Sequence, residues 1–176
     1  MNLRVSPLRV AAPIVVFVWL AACSTGSGSA RKLHHLGERV QLGSIVYNVL
    51  EAEWHNELGA GPNTRVPKNR FLILRLNITN AGNREVNIPL FQLEDLKGNT
   101  TMELQEGDGV EEWLGILRNL GPTETVQGRV IFDIEGADCQ LLLSDGGDPD
   151  KEKLAYVRIP LKVKESGPLA APLEGK

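Results

Sequence analysis

From Arg70 to Asn80 the chain reads RFLILRLNITN, the longest strand-like run in the sequence. Phe71, Leu72, Ile73 and Leu74 are apolar in succession, and beyond Arg75 the residues Leu76 and Ile78 alternate with Asn77 and Thr79. A run buried on both faces that becomes half-exposed predicts a central strand, in a sheet packed on another layer. Upstream, Val40 and Leu42 share one face of Glu38 to Leu42, and Gly43-Ser44 makes a turn. Ile45, Tyr47 and Val49 then point one way, and Leu50, Ala52 and Trp54 the other. Strand side chains change face only where the pairing takes in an extra residue, so a bulge is expected near Val49-Leu50. His55 to Lys68, with two glycines and two prolines, reads as a long exposed loop.

Beyond the turn Asn80-Ala81-Gly82-Asn83, Pro89 divides Glu85 to Leu96 into a short edge strand, a corner and a second strand. Lys97-Gly98-Asn99 turns the chain into a hairpin with Thr100 to Leu104. Val110, Trp113, Leu114, Leu117 and Leu120 recur at helical spacing and predict a short helix or irregular turn over one end of the sheets. Thr125 to Glu135 alternates, with Val126, Gly128, Val130, Phe132 and Ile134 on one face, and Cys139, Leu141 and Leu143 form another. The last strand, Leu154 to Lys164, turns Ala155, Val157, Ile159, Leu161 and Val163 inward, with Pro160 marking an edge. About seven to nine strands at this spacing, with no sustained helix, predict an all-β, immunoglobulin-like antiparallel β-sandwich. A closed barrel is the alternative.

The first 22 residues follow a different rule. Arg4 and Arg9 precede an apolar core from Val10 to Trp19, and Leu20-Ala21-Ala22-Cys23 follows. A basic start, a short apolar stretch and small residues at its end predict a secretory signal peptide, short for a membrane span. Leu-Ala-Ala-Cys resembles the bacterial lipobox, which implies that Cys23 takes a diacylglyceryl thioether and becomes the first residue after cleavage. Acyl chains such as palmitate, each contributing about 0.8 kcal/mol per buried methylene, would then hold the product on a membrane. In such lipoproteins an aspartate after the cysteine favours the inner membrane, so Ser24 favours the outer membrane where the cell has one. Ser24 to Ser29 is Gly/Ser-rich and, with Ala30 to Gly37, reads as a flexible tether. The expected organisation is signal peptide 1–22, lipidated cysteine and tether 23–37, sandwich 38–164 and disordered tail 165–176.

The signal takes two of the 19 basic residues and none of the 22 acidic ones, leaving the mature part at −5. That balance argues against a nucleic-acid surface. With Cys23 lipidated, Cys139 is left alone, so no internal disulfide forms.

Candidate chemistry is sparse. His34 and His35 fall in the expected tether, and His55 is the one histidine in the structured region. No serine carries a nucleophile signature, and Cys139 sits on an apolar strand face without a basic neighbour. Asp145, Asp148 and Asp150 crowd a glycine turn and are weak candidate calcium ligands, but the ligand order of an EF-hand is missing, and a solvated acidic turn is the favoured reading. Glu106, Asp108, Glu111 and Glu112 read as a solvated cluster. Trp54 and Trp113 either stack on a sugar or anchor a protein partner, or else pack under loops. No cofactor is called for.

A family resemblance covers nearly all of the mature domain. Gly37-Glu38, Ile45 to Val49, Phe71 to Leu74 ending in Ile78-Thr79-Asn80, and Phe91 to Asp95 before Gly98 come in that order. They precede Leu120 to Phe132, LGPTETVQGRVIF. The series resembles the DUF4352 family of bacterial extracellular and lipoprotein domains. The family's Pro-Gly-Glu turn stands here as Gly121-Pro122-Thr123-Glu124, with the glycine displaced. The resemblance implies an immunoglobulin-like, surface-exposed accessory domain and brings no catalytic residues. The expectation is a non-catalytic envelope lipoprotein acting on another envelope protein through loops His55 to Lys68 and Gln105 to Asn119. A sugar- or calcium-binding envelope protein is the alternative.

Overall fold

The computed structural model describes residues 32–161. The expected signal peptide, Cys23, most of the expected tether and the expected C-terminal tail lie outside them. Strands run in the order β1 (Leu33–His34), β2 (Arg39–Leu42), β3 (Ile45–His55), β4 (Arg70–Asn80), β5 (Val86–Asn87) and β6 (Gln92–Asp95). They continue as β7 (Thr100–Met102), β8 (Asn119–Leu120), β9 (Thr125–Ile134), β10 (Cys139–Ser144) and β11 (Leu154–Ile159). The long loop after β3 holds one 3-10 turn, Gly61–Asn63.

Two sheets face one another, ordered β1-β11-β10-β6-β7 and β2-β3-β4-β9, and β5 pairs with β8 beside them. The sheets close as a sandwich, not as a barrel. Every pairing is antiparallel except β1 with β11. Eleven strands exceed the expected number because β1, β5 and β8 are two-residue pieces.

β4 lies between β3 and β9, and its composition follows from that place. Leu72, Leu74, Leu76 and Ile78 enter the main core between the sheets. Phe71 and Ile73 point to the outer face, where they form a second cluster with Ile131 and Leu58, flanked by Leu104 and Val110. Past Arg75 the outer positions carry no such cover, and they are polar. The expected bulge falls where register shifts between Val49 and Glu51, letting Ala52 and Trp54 pack against the main core from the second half of β3.

Tyr47 ties the layers together. Its ring meets Phe91 edge-on at 6.0 Å, and its hydroxyl donates to the Ser144 carbonyl at 2.8 Å. Burial pushes its phenol well above the ordinary tyrosine range.

Three expectations need correction. The tether does not reach Gly37: Leu33 and His34 pair with Tyr156 and Val157, and buried His34 meets the Glu38 carboxylate through Nδ1 at 2.9 Å. The final strand ends at Ile159, before Pro160, which has no N–H to continue a ladder. Residues 110–118 form no helix. Val110 joins the outer cluster, Leu114 packs on the main core, and Leu117 stands 88% exposed, so the helical spacing serves three different destinations.

The displaced glycine leaves a mark at Thr123, which adopts φ 62°, a left-handed conformation costly for a β-branched residue. The turn holds because Gly121 N donates to Glu124 Oε2 at 2.7 Å and Glu124 N to Gly121 O at 3.2 Å. Thr123→Gly is therefore expected to stabilise the domain by about 1 kcal/mol. A lower urea midpoint for the variant would refute the strain.

Candidate functional site

The two loops expected to make contacts lie together on the outer face of the four-stranded sheet. Arg65 Nη1 donates to the carbonyls of Glu106 at 3.0 Å and Asp108 at 3.3 Å. Leu58 and Arg65 form a two-way backbone bridge at 2.9 and 2.7 Å. Arg65 also lies over the Phe71 ring, 5.3 Å from its centroid. The apolar floor is the cluster of Phe71, Ile73 and Ile131.

The second loop is laced to the edge of β9. Leu104 N donates to Ile131 O at 2.7 Å, Leu114 N to Arg129 O at 2.9 Å, and Arg129 N to Glu112 O at 2.8 Å. Gly128 permits this crossing, since a Cβ there would stand 2.6 Å from Glu112 O. Trp113 lies against Gly107, where a Cβ would come within 2.1 Å of the indole Cδ2.

Beneath the loop is a feature that sequence reasoning missed. Arg118 Nη2 meets Glu103 Oε2 at 2.6 Å, and the two side chains are 2% and 0% exposed. Glu103 Oε1 accepts from Phe91 N at 3.0 Å, Arg118 Nε donates to Gly115 O at 2.6 Å, and the guanidinium lies 5.2 Å from the Phe91 ring centroid. The pair fixes the corner before β6, the segment after β7 and the approach to β8. No local pattern announces a contact between residues 15 apart in irregular segments. The two loops expose Val66, Ile116 and Leu117.

The two tryptophans are not brought together. Trp54 packs from β3 against the main core, with Arg70 5.5 Å from its ring centroid, while Trp113 bridges to Arg129 on the far side of β4. Both indole N–H groups are buried without a hydrogen-bond partner. Asp145 is occupied by its own turn, Oδ1 accepting from Lys153 N at 3.0 Å and Gly147 N at 3.2 Å, and Asp148 and Asp150 are exposed. Among the described residues no three His, Cys, Asp or Glu side chains converge to hold a metal. His55 pairs with Glu53 at 3.2 Å on the surface, and His35 is exposed.

A cleft of about 490 Å³ opens at one end of the sandwich, with Asp95, Asp133, Glu135 and Asp138 among its lining residues. Three of these carboxylates secure backbone. Asp95 accepts from Asn99 and Lys97, Asp133 from Lys68 N and Asn69 N, and Asp138 from Leu161 N and Arg158. The Asn99 side-chain amide, helped by its backbone N–H, holds Asp95 below the usual carboxylate range, and Leu161 N followed by Arg158 does so for Asp138. Cys139 is buried beside them, and burial, then Asp138 and Asp95, push its thiol up to about 12. At pH 8 the native protein is expected to give no thiol reaction with DTNB within minutes, and Cys139 to react fully in urea. Rapid native labelling at Cys139 would contradict this.

A family profile described as a domain of unknown function, DUF4352, matches residues 34–149. The chain belongs to the DUF4352 family. The yjhA protein of Bacillus subtilis shares the fold at a TM-score of 0.55 and 16% identity, over 72% of this chain and 98% of its own. The lipoprotein candidate ycdA of Bacillus subtilis aligns with TM-score 0.56 and 14% identity, over 72% of this chain and 39% of its own. The secreted Mycobacterium tuberculosis protein MPT63 aligns with TM-score 0.51 and 12% identity, over 74% and 99%. No curated protein matches the chain. At these identities the likeness concerns the DUF4352 fold.

Proposed function

We propose that this DUF4352 domain is a non-catalytic contact module, carried outside a bacterial membrane on acylated Cys23 and sorted by Ser24 to the outer membrane where one exists. The observation that carries the reading is a lipobox-like Leu20-Ala21-Ala22-Cys23 closing an apolar leader, with β1 beginning at Leu33. Nine residues separate Cys23 from Leu33, a reach of about 30 Å when fully extended. The domain therefore works at the membrane surface. Contact with another envelope protein is assigned to the joined loops, which expose Val66, Ile116 and Leu117. A non-catalytic role is supported by carboxylates spent on loop backbone and by the buried, weakly acidic Cys139 thiol.

Cys23→Ala is expected to move the protein from the membrane fraction to the soluble or unprocessed pool. The wild-type N-terminal peptide should carry a diacylglyceryl group by mass spectrometry. An unmodified Cys23 in membrane-derived protein would sink the proposal. A photo-cross-linker at Leu117 should capture one envelope protein that a cross-linker at Gln127 does not.

A further inference from the structure

The outer face of the five-stranded sheet is crossed by one row of side chains, which the registers define. Leu33 pairs with Tyr156, Tyr156 with Leu142, Leu142 with Gln92, and Gln92 with Met102. Directly paired residues share a face, and the neighbouring row of His34, Val157, Leu141 and Leu93 includes the buried core positions, so this row points outward. Four of its five members are apolar or aromatic, and of these Tyr156 is itself buried, at 8% exposure. Leu33 and Met102, at its ends, are 43% and 44% exposed, and Leu154, two residues before Tyr156 on the same face, is 46% exposed. Three half-exposed aliphatic side chains thus lie along this outer sheet face. The next row is polar, with Arg158, Gln140, Glu94 and Thr100.

We infer that this face rests on the phospholipid bilayer to which the chain is tethered. The inference depends on the anchor reading above. Its occupant follows from where the described chain begins: Leu33, one end of the row, is the first strand residue, and nine residues lead back to Cys23. A flexible segment of that length has a root-mean-square span of roughly 15–18 Å. The row spans four strand spacings, about 19 Å. The tether thus keeps the whole row within reach of the headgroups, at a local concentration that lets a modest apolar contact orient the domain. Exposed Lys32 and Lys153, beside Leu33 and Leu154, put cations where anionic headgroups lie, while Arg158 on the face itself is paired with Asp138. The half-exposed leucines and methionine are side chains that settle at the boundary of headgroup and acyl chain. In this pose the loop cluster, on the outer face of the opposite sheet, points away from the membrane.

The test uses the full lipidated protein in vesicles of phosphatidylethanolamine and phosphatidylglycerol, some lipids carrying a spin-label quencher. A bimane is placed at Met102→Cys or, as control on the other sheet, at Gln127→Cys. Intact mass of each preparation verifies the acyl groups. We expect the probe at 102 to be quenched at least threefold more than the probe at 127. Adding Leu33→Glu and Leu154→Glu should bring 102 down to the level of 127 with membrane attachment unchanged. Equal quenching at both sites in acylated protein overturns the inference and leaves the anchor standing, whereas a missing acyl mass overturns the anchor reading itself. Quenching at 102 that is absent at low protein density, with a density-dependent blue shift, assigns the face to a second copy and also overturns it.

Discussion

Glu103→Ala is expected to destabilise the domain by about 3–5 kcal/mol, because it strands the Arg118 guanidinium in a site with almost no access to water. Arg118 Nη1 already lacks a hydrogen-bond partner, so no spare acceptor stands ready to take up the charge. The same change exposes the Phe91 backbone N–H to loss of its acceptor at the corner before β6. Removing both charges together, as Glu103→Leu with Arg118→Met, should recover most of the loss, since a buried pair and a packed apolar pair of similar volume lie close in free energy. Urea unfolding with an unchanged slope would measure the difference. A loss below about 1 kcal/mol for Glu103→Ala, the range of an exposed pair, would show that the site is wet and that the pair does not fix the loop.

Asn80 supports the C-terminal end of β4. Its side chain is fully buried, and Nδ2 reaches the carbonyls of Arg84 at 2.7 Å and of Leu120 and Gly121 at 3.0 Å each. Oδ1 accepts from Gly82 N at 2.9 Å. One amide therefore gathers the turn after β4, the end of β8 and the tight turn before β9. Asn80→Ala is expected to cost on the order of 2–5 kcal/mol, because several buried backbone groups lose their partner at once. Asn80→Asp should be worse at neutral pH, as a carboxylate facing carbonyl oxygens cannot donate. Its folded-state pKa must then lie above its unfolded value, so the loss should be largest at neutral pH and shrink as acid protonates it. A variant indifferent to pH between 7 and 4 would contradict this geometry.

Asn80 also illustrates what the sequence does and does not convey. Asn80-Ala81-Gly82-Asn83 announces a turn through its residue types, but nothing local says that the asparagine is buried or which carbonyls it gathers. The doubly apolar start of β4, the face change at Leu50 and the alternation in β9 and β10 were legible, because each is a consequence of period two and burial. The segment from Val110 to Leu120 misled for a related reason: apolar residues three and four apart also arise when a loop drops side chains into separate pockets. The two long loops were legible as glycine-containing stretches, but their joining through Arg65 and the Glu103–Arg118 pair beneath the second depend on partners distant in the chain. His34 lies beyond the reach of composition, since a tether and a two-residue edge strand differ only in what stands beside them.

The thinness of β1 has a mechanical side. It meets β11 through two paired positions, and the chain is next held by the His34–Glu38 contact and by Gly37 N on Val49 O at 2.7 Å. A pull on the residues ahead of Lys32 meets this short series before it reaches the four paired positions of β2. Under load the domain should pay out residues 33–38 as slack, about 20 Å of added leash, with the β2–β3 pairing and the inter-sheet core still closed.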